Sequence, residues 1–106
     1  MLNVFLISVI SVLPSDRLSM ADRLFAKGLY EDAAAEYRTL VGQEGVKADE
    51  IRFRLAECDR AAGRNDAAHT GYREVFAKHP DSRFASQARF LYAMGAPKEE
   101  RRKMFA

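Results

Sequence analysis

Tryptophan is absent from this 106-residue chain, and cysteine occurs once, as Cys58. A lone cysteine excludes an internal disulfide and any CxxC metal or redox pair, and it says little about the redox compartment. Proline appears three times, too rarely for a Pro-rich linker, and no Gly-rich phosphate loop or HExxH motif is present. Charge of one sign is missing too. Seventeen basic residues face fifteen acidic ones, so the balance gives no reason to expect nucleic acid or an acidic substrate. The length suits one small domain, and 48% hydrophobic with 30% charged residues is ordinary for a globular protein.

The charge is also absent locally. No Asp, Glu, Lys or Arg precedes Asp16, and residues 2–13, LNVFLISVISVL, are almost wholly apolar. At helical rise they span ~18 Å, too short to cross a bilayer and about the length of a signal-peptide core. Ser19-Met20-Ala21 offers small residues of cleavage-site type, whereas no basic residue leads the run and Asp16 and Arg17 fall where a signal's polar end would be. Residues 1–14 therefore form a separate N-terminal segment, read as an export signal or residual anchor. A packed extra element and a misassigned start codon are the alternatives. Residues 15–106 form the folded domain.

That domain has helical period throughout. Tyr30, Ala33, Ala34, Tyr37, Leu40 and Val41 fall on one stripe at i, i+3, i+4, i+7 spacing. A preceding helix spans about 15–27, capped by Ser15, with Met20, Ala21 and Leu24 inward and Gly28 ending it in a left-handed conformation. Shifted by 35 residues, the pattern returns: Met20 becomes Leu55, Ala21 becomes Ala56, Gly28 becomes Gly63, Ala33 becomes Ala68 and Tyr37 becomes Tyr72. The second pair of helices spans about 49–62, burying Ile51, Leu55, Cys58 and Ala62, and about 65–79, burying Ala68, Tyr72, Val75 and Phe76. A period of this size indicates stacked helix hairpins. The small residues let helices approach, and the tyrosines fill the space between hairpins. A third unit begins at 82–94 with Phe84, Ala88, Leu91, and Tyr92 or Gly95 along a stripe. It then breaks off, and Pro97 opens a short capping helix, PKEERRKMF.

Leu55-Ala56, Gly63, Ala68, Tyr72 and Pro80, echoed by Met20-Ala21, Gly28, Ala33 and Tyr37, resemble the tetratricopeptide repeat family over about residues 15–82. Gly45 stands where the first unit would carry its proline. The stretch KHPDSRFASQARF is similar to repeats of bacterial envelope proteins, the periplasmic Tol–Pal coordinator and outer-membrane assembly lipoproteins, although no lipid-accepting cysteine follows the apolar run. The resemblance implies an all-α solenoid of two repeats plus a C-terminal capping helix pair. It implies a protein–protein interaction scaffold in a bacterial envelope, periplasmic or membrane-associated, and cytoplasmic if residues 1–14 are no export signal. The expected partner is a protein or peptide, with no cofactor, no metal, no enzymatic activity, and membrane contact only through the N-terminal segment.

The same resemblance places a binding groove on the first helix of each repeat, at Leu18, Asp22 and Phe25 and at Phe53, Glu57 and Arg60. The carboxylate-clamp version of the family uses Lys and Asn where this chain has Leu18 and Asp22, so chaperone C-terminal tails are not expected ligands. Asp22 and Glu57 would lie ~10 Å apart on adjacent helices. With Phe25 and Phe53 nearby the groove is expected to be aromatic and mildly acidic.

Three other features have plain structural readings. His69 and His79, ~15 Å apart along one helix, cannot share a metal and read as solvated surface residues. Cys58 reads as a small buried hydrophobe. KEERRK at 98–103 alternates in sign and reads as a solvated face, with a basic contact for nucleic acid or membrane as the alternative. About two and a half repeats is fewer than stacks usually need. The chain could thus be a fragmentary or self-assembling unit, a homo-oligomer joined through an apolar patch at Leu91, Tyr92, Met104 and Phe105.

Overall fold

The computed structural model describes residues 13–95. The apolar segment 1–12, Pro97 and the capping helix expected after it, Met104 and Phe105 lie outside these residues. Within them the chain is all helical: α1 (Pro14–Ala26), α2 (Tyr30–Leu40), α3 (Ala48–Ala61), α4 (Asn65–Lys78) and α5 (Ala85–Met94). No helix among the described residues is long and apolar enough to cross a membrane.

Three residues separate α1 from α2, and three separate α3 from α4, so each pair must reverse sharply. The two reversals use the same bonds. Gly28, at φ 81°, donates its N–H to Phe25 O at 2.9 Å, and Leu29 donates to Leu24 O at 3.0 Å. Thirty-five residues on, Gly63, at φ 85°, donates to Arg60 O at 3.1 Å, and Arg64 donates to Asp59 O at 2.8 Å. Each is a Schellman closure, in which a left-handed glycine turns the chain and satisfies carbonyls that the helix end would orphan. The repeat therefore extends to individual hydrogen bonds.

The chain builds two cores, and α3 serves both. The first gathers Ala21, Ala33, Ala34, Tyr37 and Leu40 with Ile51 and Cys58 of α3. The second gathers Phe53 and Ala56 of α3 with Ala68, Tyr72, Val75, Phe84 and Ala88. A helix packed on both sides needs two apolar stripes. In α3 these interleave, Ile51, Leu55 and Cys58 on one side and Phe53 and Ala56 on the other. Gly71 of α4 lies so near α3 that a Cβ there would stand 2.9 Å from Ala56 Cβ. Burial pushes the Cys58 thiol up to about 11, in keeping with its place in the first core.

Several expectations shift at element ends and on helix rims. Pro14, with its fixed φ and missing N–H, is itself the first helical residue, and Leu13 occupies the cap in place of Ser15. Met20 and Val41 are exposed, at 38% and 55%, because the inward stripe of α1 centres on Ala21 and α2 ends at Leu40. Ala62 falls beyond the end of α3 and is exposed. In α5, Leu91 and Tyr92 are half-buried against the second core, so they are not the exposed patch. The exposed apolar side chains there are Phe90 and Met94, at 52% and 50%.

Candidate functional site

One residue pair recurs with the hairpin. The Tyr37 hydroxyl in α2 donates to the Asp22 carboxylate in α1, and the Tyr72 hydroxyl in α4 donates to the Glu57 carboxylate in α3. Both phenols are held well above their ordinary value, first by burial and next by the carboxylate each bonds. Each tyrosine thus fills a core with its ring and tethers, with its hydroxyl, a carboxylate at the core's edge. Arg60 joins the second pair, its Nε donating to Tyr72 Oη at 2.9 Å and to Glu57 Oε1 at 3.2 Å. Glu57 is accordingly only 15% exposed along its side chain, and it does not face open water as a free rim charge.

Two hollows flank this trio. The first, about 290 Å³, is lined by Asp22 and Phe25 of α1, Tyr37 of α2, and Arg54 and Glu57 of α3. The second, about 520 Å³, is lined by Arg60, by Asn65, Ala68, His69 and Tyr72 of α4, and by Phe90, Leu91, Met94 and Gly95 at the C-terminal end of α5 and just beyond it. Glu57 borders the first hollow while its partners Arg60 and Tyr72 border the second, so their hydrogen bonds form the partition between the two.

Of the six residues expected to line a groove, Asp22, Phe25 and Glu57 meet at the first hollow and Arg60 lies next door at the second. Leu18 and Phe53 belong to the cores. Leu18 packs on the first core, and Phe53, 2% exposed, stacks on Phe84 at 5.1 Å and tilts against Tyr72 at 5.9 Å. The two are one repeat apart, so they share a role, and that role is packing. The stripe expected to face a ligand is taken by Phe84 from the turn before α5.

Tyr37 and Arg54 also line the first hollow and are not among the six residues expected in the groove. Tyr37 was legible, since Asp22 and Tyr37 shift together onto Glu57 and Tyr72. Arg54 carries no such signal. It reaches Glu50 at 3.9 Å and lies 5.8 Å from the Phe84 ring. His69 departs from the surface reading as well. Its ring stacks on Tyr92 with centroids 3.8 Å apart, and its Nδ1 is buried without a hydrogen-bond partner among the described residues.

Compared with protein-family models, with curated proteins and with solved structures, the chain matches none.

Proposed function

We propose that this protein is an interaction module of tetratricopeptide type that holds a peptide segment of a partner protein against α1 and α3. A bacterial cell envelope is the proposed setting, on the resemblance of the third unit to envelope repeats. The observation carrying the reading is the first hollow. It presents an aromatic face, Phe25, beside an exposed carboxylate, Asp22, with Glu57 and Arg54 opposite. Asp22 accepts a hydrogen bond from Tyr37 and retains acceptor capacity toward the hollow. Arg54 lies 3.9 Å from Glu50 and Glu57 is paired with Arg60, so Asp22 is the carboxylate of the hollow with no ion pair among the described residues. A segment with an apolar anchor and a basic flank matches that combination, the ring burying the anchor and the charge steering association.

The test is affinity capture from the native host followed by binding of the captured segment to Phe25→Ala and Asp22→Lys at low and high salt. The reading expects Phe25→Ala to speed dissociation, and Asp22→Lys to slow association most at low salt, where charges at an open site are least screened. Parent-like binding by both variants would remove the first hollow as the site.

The exposed pair Phe90 and Met94 beside the second hollow favours a second reading, self-association through the α5 end. Sedimentation velocity over a wide concentration range decides it: a concentration-independent monomer eliminates the second reading.

A further inference from the structure

The two junctions, α1–α2 on α3 and α3–α4 on α5, have the same backbone plan and different fillings. At the first, Phe25 and Leu55 pack on the core, and Phe25 meets Tyr30 edge to face at 5.2 Å. The 35-residue shift converts Phe25 to Arg60, Tyr30 to Asn65 and Leu55 to Phe90. At the second, Arg60 turns to Glu57 and Tyr72, Phe90 stays half exposed, and a hollow of about 520 Å³ remains among them. Its size and its mixture of apolar walls with a few polar groups are those of a ligand site. Among the described residues, Arg60 and Asn65 stand where the first junction has the aromatic pair Phe25 and Tyr30, and the stacked rings at the second are His69 and Tyr92.

We infer that the second hollow seats an aromatic side chain of the bound partner segment, tryptophan in preference to phenylalanine, with a basic residue nearby in that segment. This inference rests on the peptide-binding reading above and adds its anchor. The Tyr72 ring, Leu91, Phe90 and Met94 supply the apolar walls. His69 borders the hollow, its Nδ1 has no hydrogen-bond partner among the described residues, and an imidazole nitrogen without a proton accepts, which suits an indole N–H, a group that only donates. Across the Glu57–Arg60–Tyr72 partition lies the first hollow with Asp22, which sets a basic residue next along the segment.

The probe is acetyl-Lys-Gly-Trp-amide, whose capped end carries no carboxylate, titrated into the ¹⁵N-labelled full chain. The expected result is saturable shifts at Ala68, His69, Leu91 and Gly95, with the leucine analogue about tenfold weaker, as for loss of a buried aromatic anchor. Arg60→Phe with Asn65→Tyr, which transfers the aromatic pair of the first junction, is expected to abolish the shifts while the chain still melts cooperatively. Phe90→Ala, at an exposed position, is expected to weaken the probe severalfold and guards against failure of the double variant to fold. Shifts confined to Asp22, Phe25 and Glu57 would overturn the anchor and leave the first hollow standing. No saturable shift anywhere would count against both. Nuclear Overhauser contacts from residues 97–106 to Phe90 and Met94 in the free chain would overturn a partner's side chain as the occupant, since the chain would fill the hollow itself.

Discussion

Tyr37 and Tyr72 make the same bond to a carboxylate one helix back, yet the ground around them differs. The first core is closed by Phe25, Tyr30 and Leu55, whereas the second is bordered by Arg60, Asn65 and a half-exposed Phe90. A repeat thus transmits its backbone geometry, through the left-handed glycines and the small residues, independently of how fully each junction is packed. The more fully packed junction is where stability is expected to reside, and the second, with the larger hollow, leaves more room for something to be added.

The largest effect should come from the helix shared by both cores. Phe53→Ala is expected to destabilise by about 3–5 kcal/mol, the range for truncating a buried aromatic. Phe53 stacks on Phe84 and touches Tyr72, so urea unfolding should detect the loss. A near-neutral Phe53→Ala would return this ring to the groove and undo the two-stripe account of α3.

Next is the close approach of α4 to α3. Gly71→Ala forces a Cβ against Ala56 and should cost about 1–3 kcal/mol by overpacking. Its repeat equivalent is Glu36, which makes a partly exposed ion pair with Arg17 at 3.0 Å. Glu36→Ala should cost about 0–1 kcal/mol, as surface pairs do. Thermal melts of the two variants sharpen the contrast, and equal shifts would erase it.

The tyrosine hydroxyls come third. Tyr37→Phe should cost about 0.5–1.5 kcal/mol, the net value of one hydrogen bond. Tyr72→Phe should cost more, since Glu57 and Arg60 both lose the same partner. Chemical denaturation of both variants checks the order, which the trio requires to be Tyr72 above Tyr37.

Much of this was legible in the sequence. The periodicity places the five described helices to within a few residues, and the shift of Gly28, Ala33 and Tyr37 onto Gly63, Ala68 and Tyr72 matches where the structure puts left-handed glycines and buried contacts. The site was legible in part. Asp22, Phe25 and Glu57 do converge, but a single apolar stripe puts Phe53 on the open face, and α3 has two stripes. The second hollow depends on residues 35 apart differing in size, Phe25 against Arg60 and Tyr30 against Asn65. A search for similarity passes over such differences. Gly71 was silent for a related reason, since close approach between helices is a property of their spacing and leaves no periodicity.

The smallest effect is a pH dependence at the turn that leads into α5. The Ser82 hydroxyl donates to Asp49 at 2.6 Å, and that bond, ahead of any other influence, holds the Asp49 carboxyl below its ordinary value. A depressed folded value means stability that is present above the unfolded carboxyl's pKa, about 3.9, and lost as pH falls through the folded one. Ser82→Ala should therefore lower stability slightly at neutral pH and flatten the acid slope, so that parent and variant converge as the pH falls. Melting curves of parent and variant between neutral pH and pH 2 compare the two slopes.

Native-state hydrogen exchange of the full chain, followed amide by amide, tests the contrast between the junctions most directly. Amides open with free energies that follow local packing. The account predicts that α2 and the first-core side of α3 exchange only through the highest-energy opening, while α5 exchanges through a lower one. Uniform protection from α2 through α5, or α5 more protected than α2, would contradict it.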